Sequence, residues 1–282
     1  MSTNIARQGP WPDFSVALLN DYVSTILNQP WPGRNGSSMR SVYFTLCYNS
    51  YCASGFMVHA SARDISKNSG VGLNTVSDAI QSLITDGWIS RTSRRHTNAS
   101  PSILADEFKL EHMIDFFQAH PPTGNLDSEC TVMVQDENFA FFEYLEWQMH
   151  DVFRWSGLGK SCLEMYYYLS SHPNSSAIEI AKATGRSRTT VYRCYRHMSE
   201  DIIDIRTGEV HELVERENHK YRSINQNLSL VADILGVAGM SRKIRDKYRR
   251  QREKHRQWVT RTNQAQGRQT DPGFTRSFDI PN

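Results

Sequence analysis

One helical phrase is written twice in this chain, 115 residues apart. The first copy runs from Ala62-Arg63-Asp64-Ile65 through Gly70 and Thr75-Val76 to Ile80 and Leu83. The second runs from Ala177-Ile178-Glu179-Ile180 through Gly185 and Thr190-Val191 to Tyr195 and Met198. Ile65, Gly70, Val76, Ile80 and Leu83 align with Ile180, Gly185, Val191, Tyr195 and Met198 without a gap. Apolar residues at helical spacing on either side of a glycine predict two short amphipathic helices joined by a tight turn. Such a pair presents its second helix to a groove, so two copies imply two presenting modules.

A chain of 282 residues has room for two such modules, each with its own core. Hydrophobic residues at 39% and charged residues at 22% fit a folded globular chain rather than a disordered one. No run approaches the roughly 18 apolar residues of a membrane span. The N-terminus, with Pro10 and Pro12, lacks the basic-then-apolar layout of a secretory signal. The expected location is therefore cytoplasmic, with no membrane partner. Five cysteines, Cys47, Cys52, Cys130, Cys162 and Cys194, form an odd set without zinc-ligand spacing. They read as reduced thiols, and neither a metal nor a cofactor is expected.

The net charge of +2 conceals an asymmetry. Residues 1–150 carry 9 Lys/Arg against 15 Asp/Glu, and residues 151–282 carry 23 against 15. Within 106–151 there is one Lys and eleven acidic residues. A polyanion binder must hold such a segment away from the phosphates. The middle is thus expected to be a spacer, a homodimer surface or a site for a protein partner.

Along the chain, Pro30, Pro32, Gly33 and Gly36 punctuate an N-terminal extension that can hold a short helix over 14–27. Ser37 or Ser38 would cap a helix over 39–53. A short strand over 56–60, the helix pair, a strand over 88–92 and a basic tip at 93–101 follow. Aromatic residues over 138–155 predict a helix bridging the modules. The second module opens with a helix over 161–171 and repeats the pair, with Ser187 capping the second helix. Strands are expected over 202–205 and 210–214. A last apolar helix over 228–235 leads into 241–261, where ten Lys/Arg face two acidic residues.

Catalytic signals are thin. Gly157-Leu158-Gly159-Lys160-Ser161 resembles the end of a phosphate-binding loop, but the glycine required five residues before Gly159 is Arg154. The ten histidines are scattered, and acidic pairs such as Asp136-Glu137 lie on a polar helix face. The chain is expected not to be an enzyme.

Groups able to contact DNA are better represented. Ser187, Arg188, Thr189, Thr190, Tyr192, Arg193 and Arg196 lie off the Val191/Tyr195/Met198 stripe, and arginine can bridge guanine N7 and O6 with two donors. In the first copy Asn74, Thr75, Ser77 and Gln81 lie off the buried stripe, and Asn or Gln can pair with adenine. Lys and Arg are absent from 73–85, so charge there falls to Arg91 of the strand over 88–92 and to Arg94 and Arg95 of the basic tip. Arg242, Lys243, Arg245, Lys247, Arg249 and Arg250 would bind phosphates without sequence preference.

Ile65…Gly70…Thr75-Val76…Ile80…Leu83…Trp88-Ile89 and Ile180…Gly185…Thr190-Val191…Tyr195…Met198…Ile203 resemble winged helix-turn-helix units. The tandem pair with a basic extension is similar to DNA-binding proteins of bacterial plasmids, phages and integrative elements, replication initiators among them. That resemblance implies a mainly α fold with small β wings. Residues 1–36 form the N-terminal extension, 37–111 and 156–226 the two winged helices, and 112–155 an acidic linker with a bridging helix. Residues 227–261 form a C-terminal helix and basic segment, and 262–282 a disordered tail. The resemblance implies sequence-specific binding of double-stranded DNA in replication or maintenance of a mobile element. A transcriptional regulator and a protein–protein adaptor acting through the acidic linker are the other expectations.

Overall fold

The computed structural model describes residues 16–53, 55–93, 105–120, 140–224 and 227–265. Arg94 and Arg95, residues 121–139 of the acidic middle and the C-terminal tail from residue 266 lie outside them. The chain is mainly helical, with two small three-stranded antiparallel sheets.

Helix α1 (Val16–Asn28) buries Leu19, Tyr22, Val23 and Ile26, a stripe of one helical face. Helix α2 (Gly36–Ala53) is the centre of the first unit and buries Val42, Tyr43, Phe44, Leu46 and Cys47. It begins three residues earlier than expected. Ser37 sits in its first turn and does not cap it, because its hydroxyl is turned to a carboxylate of the second unit. Strand β1 (Met57–Ala60) alternates outward and inward residues and ends at Ser61, whose Oγ accepts from Asp64 N at 3.2 Å to start α3 (Ala62–Ser69). Gly70 stops α3 at φ 64°, a conformation that costs a β-carbon-bearing residue about 1–2 kcal/mol.

Helix α4 (Leu73–Thr85) then buries Val76, Ala79, Ile80 and Leu83. Full burial of such side chains stabilises by about 1.5–3 kcal/mol each, so Ile80→Asp would detach this helix. Strands β2 (Ser90–Ser93) and β3 (Asp106–Lys109) complete a sheet of order β1-β3-β2, with Phe108 opposite Val58. The acidic stretch after it begins with a folded helix, α5 (Glu111–Ala119), whose Phe116 and Phe117 pack on Tyr22 of α1.

Helix α6 (Ala140–Met149) touches α1, α2 and α3 on one side and the second unit on the other. A short 3₁₀ turn (Asp151–Phe153) leads on to α7 (Lys160–Ser171). Next come β4 (Ser175–Ser176), α8 (Ala177–Thr184) and α9 (Arg188–Ser199). Strands β5 (Val214–Glu217) and β6 (Lys220–Ser223) give a sheet of order β4-β6-β5. Both units therefore share the element order helix, strand, helix, helix, strand, strand and the same strand order. The expected strands near 202–214 are displaced. Ile203 and Val210 make a single bridge, and the true hairpin turns at Asn218 and His219, both at positive φ. Helix α10 (Leu228–Ile234) precedes the long α11 (Met240–Ala265).

The units are joined reciprocally. In each, the glycine turn before its outward helix abuts the segment leading into the first helix of the other unit. The Gly70 carbonyl accepts from Trp155 N at 3.1 Å, and a β-carbon there would lie 3.1 Å from Gln148 O. A β-carbon on Gly185 (φ 70°) would lie 2.9 Å from backbone atoms of Trp31 and Pro32. Between these seats α2 packs on α7, as in the self-complementary interface of a two-fold dimer.

Candidate nucleic-acid interface

Helix α9 is sharply two-sided. Ser187 caps it through Thr190 N at 3.1 Å, and the Ser187 and Thr190 hydroxyls lie 3.0 Å apart, so this pair is engaged in the cap. Val191, Cys194 and Met198 are buried, and Tyr195 packs edge-on against Tyr221 of β6. The residues between them, Arg188, Thr189, Tyr192, Arg193 and Arg196, are exposed and share the opposite face. Arg196 lies 4.0 Å from Asp201, whereas Arg188 and Arg193 make no ion pair among the described residues. An exposed row of guanidiniums and hydroxyls on a rigid, capped helix can donate to base edges and phosphates.

Helix α4 presents an equivalent face that carries no cation. Asn74, Ser77 and Gln81 are exposed at helical spacing with Asp78, and Thr75 is half-buried. Gly72 precedes the helix without a side-chain cap. Arg91 departs from the sequence expectation in its surroundings. It lies 3.3 Å from Asp106 with its guanidinium over the Phe108 ring, committed to the first sheet.

Helix α11 is anchored to α3 of the first unit and to the connection at Asp151 and Arg154. Asp151 accepts from Ser241 N at 2.7 Å and from the Ser241 hydroxyl, satisfying the start of the helix from outside it. Buried Arg154 donates from Nε to Ser241 Oγ at 2.6 Å and from Nη2 to Lys67 O at 2.7 Å. Burial lowers its pKa while Asp151 opposes that shift. Further along, the Tyr248 and Ser66 hydroxyls lie 3.4 Å apart, and Arg252 pairs with Asp64. Arg242, Lys243, Arg245, Lys247, Arg249 and Arg250 are all exposed on α11, with Arg249 3.0 Å from Asp246.

The loop resembling a phosphate cradle is turned inward. Lys160 Nζ donates to Gln148 O at 2.6 Å, and burial, with Arg154 nearby, holds its ammonium well below the usual lysine range. A β-carbon on Gly157 would collide with Val152 O, so that glycine permits close packing of the connection. Several basic residues near these faces escaped the sequence reading. Arg216, Lys220 and Arg222 project from the β5–β6 hairpin, and Arg63 lies beside the start of α4. Arg222 pairs with Glu215, and Lys220 lies 3.5 Å from Glu179. The signal for the hairpin was the short alternation around Tyr221, masked by a turn without glycine.

Cys47, Cys52, Cys162 and Cys194 are free thiols. No helix among the described residues is long and apolar enough to cross a membrane. No protein-family model, no curated protein and no solved structure matches the chain.

Proposed function

We propose that the chain binds double-stranded DNA sequence-specifically, through two winged-helix units whose outward helices are α4 and α9. The observation that carries this reading is the exposed face of α9, where Arg188, Arg193 and Arg196 stand with Thr189 and Tyr192 on a capped helix backed by a hydrophobic core. Such a helix fits the major groove, and each bidentate arginine contact discriminates by about 1–3 kcal/mol. The shared strand order of the two sheets supports the winged-helix assignment, with the β5–β6 hairpin as the wing that touches the backbone. The role we assign is replication or maintenance of a mobile genetic element, acting in the cytoplasm without a cofactor.

Selection from a randomised duplex library followed by footprinting tests the reading. The expected result is an enriched sequence protected at low salt, and failure to enrich any duplex would sink it. Mapping the enriched sequence separates repeated sites at an origin from an operator over a promoter, which would make the chain a transcriptional regulator.

A further inference from the structure

The helix face on α4 has a defect as a DNA reader. Residues 73–85 contain no cation and include exposed Asp78. A groove-reading helix is flanked by phosphates, and neutralising them supplies most of the salt-dependent affinity. The missing charge stands beside it. One side of α11 faces the first unit through Ile244, Tyr248 and Arg252 and the connection at Arg154 through Ser241. This seats the helix against α3 and next to the first turn of α4. A cleft of about 260 Å³ is lined by Gly72 and Leu73 of that turn, Arg63 of α3, and Ile244, Lys247, Tyr248 and Gln251 of α11. Beyond it, Lys243, Lys247, Arg250 and Lys254 follow one another at helical spacing along the exposed side of α11.

We propose that the first DNA-reading head is composite: α4 supplies the base-reading face, which has no cation of its own, and Arg63 with Lys243, Lys247, Arg250 and Lys254 supplies the phosphate-binding strip beside it. The second head needs no such supplement, since α9 carries its own arginines. The basic helix is thus a built part of one head and not a free tether serving both. This inference rests on the duplex DNA reading above. It deepens that reading by assigning the basic helix to the half-site under α4.

The test uses the full chain and duplexes that it enriches from a randomised library about four helical turns long. One variant reverses charge on the strip (Lys247→Glu, Arg250→Glu, Lys254→Glu). A second keeps every cation but removes the apolar seat (Ile244→Ser, Tyr248→Ala). Circular dichroism reports that both still fold. The expected result is that both lose protection over one half of the footprint and keep it over the half that α9 substitutions erase. The charge variant should also lower the salt slope by about 2.7, at ~0.9 per phosphate contact. Full affinity in the unseated variant would show a free tether and overturn the proposal, as would equal loss over both halves. Stronger protection after either change would show that α11 shields α4, and likewise overturn it. Absence of any enriched duplex for the unaltered chain would instead remove the DNA reading itself. Enrichment of only the single-stranded form would reassign the strip to single strands and end the composite-head proposal.

Discussion

The Glu164 carboxylate, almost fully buried on α7, accepts from Arg186 Nε at 3.0 Å within its own unit. The same oxygen accepts from Ser37 Oγ of the first unit at 2.6 Å, while Arg186 Nη1 reaches across to Gly33 O at 2.7 Å. Arg40 approaches the other carboxylate oxygen at 3.8 Å. One carboxylate thus ties the turn before α9 to the start of α2. Glu164→Ala should leave two guanidiniums buried without their anion, a loss of about 3–5 kcal/mol for a broken buried pair. Urea unfolding should show a lower midpoint at unchanged slope. Glu164→Gln retains an acceptor for Ser37 and should cost less.

Gly70 and Gly185 carry two demands each, a positive φ and a neighbour where a β-carbon would go. Gly208 (φ 74°) carries only the first, because nothing lies within 4 Å of its position. Gly208→Ala should therefore cost about 1–2 kcal/mol. Gly185→Ala should cost more, since backbone atoms of Trp31 and Pro32 must retreat. Gly70→Ala would press on Lys160 Nζ, 2.8 Å away, and on Gln148 O, and should also exceed the control. Thermal melts of the three variants give the ranking. Equal losses would mean that the reciprocal seats are not tight.

Two histidines should make the fold acid-sensitive. His112 stacks on Trp88 at 4.1 Å between centroids, and burial holds its pKa below the usual value. His150 Nδ1 accepts from Val152 N at 3.3 Å, and burial lowers its pKa as well. A lowered folded-state pKa means that the unfolded chain takes up protons first as pH falls. Stability is then complete above about pH 6.5, the unfolded value, and is lost as pH drops through the folded-state values. His112→Phe combined with His150→Asn, which keeps an acceptor for Val152 N, should flatten the fall between pH 7 and 5. Denaturation midpoints across that range check it.

Legibility in the sequence followed locality. Helices α4 and α9 begin and end where their stripes and bounding residues say, because Gly70 and Ser187 act within one turn of the residues that reveal them. Strand β3 was invisible, since Asp106-Glu107-Phe108-Lys109 offers one apolar residue and gains its identity from Val58 across the sheet. The β5–β6 turn was hidden because His219 holds a positive φ where glycine is the usual signal. Arg154 drew notice only as a missing glycine, yet it hooks Lys67 O to Ser241 across 87 residues on either side. No local pattern announces such a hook. The outward face of α9 was readable as a stripe complement, whereas the place of α11 beside α4 depends on tertiary packing alone.

Arginines of similar sequence appearance should behave oppositely. Arg188, Arg193 and Arg196 are exposed, and Arg196 has only a distant ion pair. Replacing all three with alanine should leave the melting temperature nearly unchanged, because surface substitutions of this kind move stability by about ±0.5 kcal/mol. Specific duplex binding should vanish at the same time, losing about 1–3 kcal/mol of discrimination per bidentate contact. Arg91, by contrast, is tied to Asp106 and covers Phe108. Arg91→Ala should loosen the first sheet while the half-site we propose for α9 stays protected. Fluorescence anisotropy on the enriched duplex, read beside thermal melts, separates the two outcomes. Retained specificity in the triple variant would move the main reading head away from α9.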